Sequence, residues 1–196
     1  GRQSSSILPE SLPTCSGPWI GCISGSSGRR ASALLGAWLD QEGRKAEVWA
    51  ELIELIHDEI ALGVDLMPGA GDLLVALRNA GIPTGLASNS SRRFVDEVLA
   101  RAGVAELLDA TVSAAEVSSP KPAPDVYLAA AQLLGAAPTS CVALEDSPIG
   151  VAAAKAAGMH VIGIPSIAGL VLAPPADVEL PSLADARVYE LCGLTA

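Results

Sequence analysis

Cys141-Val142-Ala143-Leu144-Glu145-Asp146-Ser147-Pro148-Ile149-Gly150 is the stretch on which the fold turns. Its four leading apolar residues read as a buried strand. The strand ends in two adjacent carboxylates. After Ser147-Pro148, residues Val151, Ala154 and Ala157 recur at helical spacing until Gly158 stops them. A strand, a polar edge and then a helix make up the repeating unit of an open α/β sheet, where ligands bind at the carboxyl ends of strands. Two neighbouring carboxylates at such an edge repel unless a cation lies near, and a hard divalent ion such as Mg²⁺ suits them. The plainer reading of Glu145-Asp146 is a solvated acidic turn.

The same unit recurs on both sides of this stretch. Leu73, Leu74 and Leu77 mark a helix over 71–79 that stops at Gly81, and 82–87 reads as a strand. Phe94, Val95, Val98, Leu99 and Ala102 share one face of a helix ending at Gly103, and a short strand falls within 107–112. A helix from Pro124-Asp125 carries Val126, Ala130, Leu133 and Leu134 to Gly135. Beyond the opening stretch, 160–164 and 178–180 read as strands, and a last helix runs through Leu191. Strands alternating with helices imply α/β architecture, a parallel sheet covered on both faces. Residues 67–196 form this core.

The first 66 residues differ. Residues 1–24 are rich in Ser and Pro and read as a divergent or disordered segment, with 19–23 the one early strand candidate. Residues 25–66 hold two amphipathic helices, 31–39 and 46–60, parted by Glu42-Gly43 with no strand between them. Such a pair reads as a partial helical cap beside the sheet.

Composition narrows the function classes. The chain has 196 residues and is 50% hydrophobic but only 3% aromatic, so its core must come from Ala, Val, Leu and Ile. Twelve basic against 22 acidic side chains give a net charge of −10, which argues against a nucleic-acid or anionic-membrane surface. It does not argue against a small anionic substrate, because local charges outweigh the global field. Cys15, Cys22, Cys141 and Cys192 show no metal spacing and read as reduced thiols of a cytoplasmic protein. His57 and His160 are isolated, and a structural role is the default for each. No oligomeric state is legible.

Three strand ends carry polar clusters. Ser88-Asn89 ends one strand and opens a helix, so its hydroxyl and the helix N-terminal N–H groups form an anion site. The bland reading makes Ser88 an N-cap. Lys121 stands among prolines in Ser119-Pro120-Lys121-Pro122-Ala123-Pro124, which stiffen the loop around an ammonium. A solvated surface lysine is its bland reading. Glu145-Asp146 is the third cluster.

Taken together, "PGAGDLLVALRNAGIPTGLASNSS" (68–91), "KPAPDVYLAAAQLLG" (121–135) and "ALEDSPIGVAAAKAAGM" (143–159) resemble the haloacid-dehalogenase superfamily of phosphohydrolases. The likeness is greatest to the branch with a helical cap after the first strand, which includes phosphoglycolate-phosphatase-like and β-phosphoglucomutase-like enzymes. It runs from Met67 to Ile164. It implies a Rossmannoid three-layer fold and a Mg²⁺-dependent phosphatase acting on a small phosphorylated metabolite. By the same resemblance Ser88 would hydrogen-bond the transferring phosphoryl group and Asn89 would add a contact. Lys121 would bridge nucleophile and phosphate. Asp146 would ligate Mg²⁺, with Glu145 as second ligand, direct or through water. Pro120 stands where the family commonly has Gly, which implies a stiffer loop.

One departure is larger. The family's first motif, D-x-D-G-[TV], ends the first strand. Its first Asp is the nucleophile and its second the acid/base. No D-x-D occurs in this chain, and its first aspartate is Asp40. Truncation or a shifted reading frame is one expectation, and a degenerate relative that binds a phosphorylated ligand without turnover is the other. Either way the chain is expected to be nearly inactive. Phosphatase and β-phosphoglucomutase-like isomerase cannot be told apart without that motif. In the resembled fold the first strand lies mid-sheet, so 19–23 must fill that slot or its neighbours lose a ladder partner. Ile23-Ser24-Gly25-Ser26-Ser27-Gly28-Arg29-Arg30 also suggests a nucleotide-binding loop, but Ile23 stands where Gly is needed and Arg29 replaces Lys. A non-catalytic phospho-ligand-binding or interaction module is the alternative outside enzymes.

Overall fold

Six strands among the described residues lie in one parallel sheet: β1 (Trp19–Gly21), β2 (Thr84–Ser88), β3 (Ala110–Ser113), β4 (Val142–Glu145), β5 (His160–Gly163) and β6 (Val178–Glu179). The computed structural model describes residues 19–21, 54, 57, 58, 60–166 and 169–194. The sheet order is β3-β2-β1-β4-β5-β6. The expected cap helix at 31–39, the loop at 23–30, most of the helix at 46–60 and the segment 1–18 lie outside the described residues. Only Glu54, His57, Asp58 and 60–62 of the second helix are described, and they are helical.

The mid-sheet slot is filled by β1. Trp19 pairs with Thr84 on one side and Val142 on the other, and Gly21 pairs with Leu86 and Leu144. Both neighbours therefore keep a ladder partner along these residues.

Five helices among the described residues cover the faces: α1 (Ala70–Asn79), α2 (Arg92–Ala102), α3 (Asp125–Leu133), α4 (Pro148–Ala156) and α5 (Ala186–Leu191). Alternate strand residues point to opposite faces, and this sorts the core into two clusters. Leu86, Val142, Leu144 and Ile162 pack against Leu73, Leu74 and Leu77 of α1, Val95 and Leu99 of α2 and Val188 of α5. Ala87, Val112, Ala143 and Val161 pack against Val126, Tyr127 and Ala130 of α3 and Val151 and Ala154 of α4. Alanine is the commonest residue of the second face.

Element boundaries move by one to three residues from the sequence reading, for local reasons. The strand read at 82–87 starts at Thr84 because Ile82 N–H closes α1 on Leu77 O (3.0 Å) and Pro83 has no N–H. Its first N–H goes to Asp109 Oδ2 at 2.9 Å. The strand read within 107–112 starts at Ala110, because Ala105–Leu107 forms a 3₁₀ turn. Gly69 precedes α1 at φ 88°, and a Cβ there would lie 2.5 Å from Ala184 N, so only glycine fits. The segment before this core is tied to α2 through His57, whose Nδ1 pairs with Glu97 and whose ring meets Phe94 edge-on at 6.3 Å.

Candidate active site

Strand parity decides what Glu145 meets. It lies two residues after Ala143 on β4, so its side chain points to the face covered by α3 and α4. Room for a carboxylate there depends on Gly150 in the first turn of α4, where a Cβ would sit 1.8 Å from Glu145 Oε2. Glu145 is 1% exposed. A buried carboxylate needs a countercharge and hydrogen-bond donors, and it has both. Lys121 Nζ and Tyr127 OH both donate to its Oε1. Ser147 Oγ donates to its Oε2 at 3.2 Å while accepting from Gly150 N as the N-cap of α4.

Lys121 is 7% exposed, so it is not the solvated surface lysine of the bland reading. Its backbone is held as firmly as its ammonium. Asn89, at the end of β2, donates from Nδ2 to Lys121 O (3.0 Å) and accepts from Lys121 N at Oδ1 (2.8 Å). A single amide side chain thus fastens the Lys121 loop to the neighbouring strand end.

Ser88, the last residue of β2, is half-buried, and its Oγ accepts from Ser90 N at 3.1 Å. It is not a helix cap: α2 begins at Arg92, and its N-cap is Ser91, which accepts from Phe94 N at 3.3 Å. The expectation that Ser88 sits at the helix N-terminus is corrected accordingly. Two further residues, Ser90 and Ser91, separate Asn89 from the first residue of the helix.

Hydrogen bonds therefore run from Asn89 through Lys121 to Glu145, and covalent neighbours extend them to Ser88 and Asp146. Asp146 is 9% exposed, so the acid pair is not a solvated turn. Repulsion between the two carboxylates does not by itself call for Mg²⁺, because the Lys121 ammonium pairs with Glu145. The donor chemistry still suits the ion. Two carboxylates on consecutive residues offer hard oxygens, and Mg²⁺ is commonly held by one or two carboxylates plus ligand phosphate. No cluster of three or more His, Cys, Asp or Glu able to hold a metal forms among the described residues.

Sequence reasoning missed Tyr127, Ser147 and Gly150. The one available signal for Tyr127 was an aromatic residue on an apolar helix face in a chain with two tyrosines. Nothing in the local text marks Gly150 as the residue that makes space for Glu145. Cys141 and Cys192 are buried free thiols, as expected, and Cys15 and Cys22 lie outside the described residues.

Comparison with known proteins gives the family. A family model described as haloacid dehalogenase-like hydrolase matches residues 28–158. Beta-phosphoglucomutase of Bacillus subtilis is 40% identical over 100 residues, 51% of this chain and 43% of that protein. Hexitol phosphatase A of Escherichia coli is 39% identical over 143 residues, 71% of this chain and 65% of that protein. The chain thus spans less than two thirds of the length of either relative. A solved structure of a HAD family hydrolase from Deinococcus radiodurans R1, with bound phosphate and sodium, superimposes with a TM-score of 0.75. It is 26% identical, and the match covers 94% of this chain and 99% of that one. A family model spanning most of the chain, together with the parallel sheet and its polar edge, places this protein in the haloacid dehalogenase-like hydrolase family.

Proposed function

We propose that the chain binds the phosphoryl group of a small phosphorylated metabolite, such as a sugar or hexitol phosphate, at the carboxyl edge of the sheet. The observation that carries this reading is the buried Lys121, fixed between Asn89 and Glu145. An ammonium held there meets a phosphate oxygen without reorganising. Ser88 Oγ supplies a second donor, because its proton has no acceptor among the described residues. Asp146, with Glu145, would hold Mg²⁺. That ion would offset the charge of the phosphate dianion.

Hydrolysis through a phosphorylated enzyme needs a carboxylate nucleophile. The sequence directly after β1 is Cys22-Ile23-Ser24-Gly25-Ser26. It has the frame of D-x-D-G-[TV], keeping the Gly and a hydroxyl residue. A thiol and a hydroxyl stand where the motif has its two acids. On this reading the chain binds its ligand and turns it over at close to the uncatalysed rate. The same deficit applies to a β-phosphoglucomutase-like isomerisation.

The test is a gain of function. Hexitol and sugar phosphates are assayed for phosphate release in Mg²⁺. The native chain is expected to match the Lys121→Ala variant. The double variant Cys22→Asp/Ser24→Asp is expected to release phosphate at least about a hundredfold faster, the scale of one positioned catalytic group. Ordinary turnover by the native chain would overturn the reading.

A further inference from the structure

The phenol of Tyr127 lies in the first turn of α3 and is fully buried. A buried phenol needs a hydrogen-bond partner. Its partners include the two charged groups of the site. Lys121 Nζ donates to Tyr127 OH at 3.3 Å, and Tyr127 OH donates to Glu145 Oε1. The same ammonium lies 4.7 Å from the centroid of the Tyr127 ring, within cation–π range.

These contacts constrain Lys121 in a particular way. A lysine ammonium is a point charge on a flexible four-carbon stem, with three N–H donors that rotate freely. Glu145 alone would fix the distance of that charge but not its direction. With Tyr127 as a second acceptor and the ring alongside, two donors are committed and the third has no acceptor among the described residues. Tyr127 also occupies part of Glu145 Oε1, so the carboxylate holds the ammonium less completely.

We infer that Tyr127 is a positioning residue for ligand phosphate: through its hydroxyl and ring it orients Lys121 so that one N–H remains directed to a phosphate oxygen. This deepens the proposed reading of the site and rests on it. Tyr127 itself need not touch the ligand.

Binding of inorganic phosphate in Mg²⁺, measured by calorimetry, tests this. Tyr127→Phe keeps the ring and the volume and removes the hydroxyl. It is expected to weaken phosphate binding about tenfold, the worth of one lost hydrogen bond of ordinary strength to a charged group. Tyr127→Leu, which also removes the ring, is expected to weaken it further. A native-like dissociation constant in Tyr127→Phe would overturn the inference while leaving the phosphate site intact. Failure of the native chain to bind phosphate would instead overturn the reading on which it rests.

A second measurement covers the case in which Tyr127→Phe loses its fold. The chain has two tyrosines, Tyr127 and Tyr189. Replacing both by 3-fluorotyrosine gives two fluorine resonances, assigned with Tyr189→Phe. The Tyr127 signal is expected to shift in step with phosphate saturation. A signal that stays still while calorimetry reports binding would overturn the inference, since a purely structural tyrosine has no reason to respond.

Discussion

Lys121 carries its charge where water is scarce, and its stability contribution depends on Glu145. Removing one partner of a buried ion pair leaves the other uncompensated and costs about 3–5 kcal/mol. Lys121→Met is therefore expected to lower the unfolding free energy by about that amount in urea titration. Lys121→Met/Glu145→Gln should recover much of the loss, because no lone charge remains. A double variant no more stable than the single one would show that the pair is not coupled as described. Gly150 makes a different prediction. A Cβ there would lie 1.8 Å from Glu145 Oε2. Gly150→Ala must therefore displace the carboxylate or the first turn of α4, at about 1–3 kcal/mol. Thermal unfolding should show the loss, and a melting temperature equal to the native one would contradict it. Ser88, Asn89, Lys121 and Glu145-Asp146 were legible as residues because polar side chains interrupt apolar runs there. Tyr127 and Gly150 were not, because their roles arise only when α3 and α4 fold onto the same face of β4.

At the scale of elements, hydrophobic periodicity located the five α-helices and the strands β2 to β5, because each one buries a face. Boundaries shifted where side chains took over backbone bonds, which periodicity does not report. Asp109 does this at β2. Asp177 does it at the far edge, where its Oδ2 accepts from Val161 N (2.8 Å) and its Oδ1 from Lys155 (2.6 Å). Partial burial raises the Asp177 carboxyl, but the bonds from Lys155 and Val161 outweigh it and hold the group below the ordinary aspartate range. The folded value thus lies under the unfolded one. The stabilisation is present above the unfolded pKa of about 3.9 and is lost as pH falls through the folded value. Melting temperatures of the native chain and Asp177→Asn should differ at pH 7 and converge as pH drops toward 3. A difference that persists unchanged to pH 3 would contradict the sign. Asp177 is about one third exposed, so the difference is expected to be small.

Across the whole molecule, the sheet order puts β1 between the two strands that carry Ser88-Asn89 and Glu145-Asp146. The α/β class and the sheet itself followed from alternating elements. The central strand was legible as the apolar run 19–23, the one early candidate for the mid-sheet slot, and the structure places Trp19–Gly21 there. On the proposed reading, a chain of net charge −10 takes an anion at this edge through local donors, the Ser88 hydroxyl and the Lys121 ammonium, rather than through its overall field. That the phosphate sits there is most directly tested by soaking crystals of the native chain with tungstate, a heavy analogue of phosphate, and mapping its anomalous signal. A peak within hydrogen-bond distance of both Ser88 Oγ and Lys121 Nζ is the expected result. Tungstate bound only elsewhere, with both of those groups untouched, would contradict it.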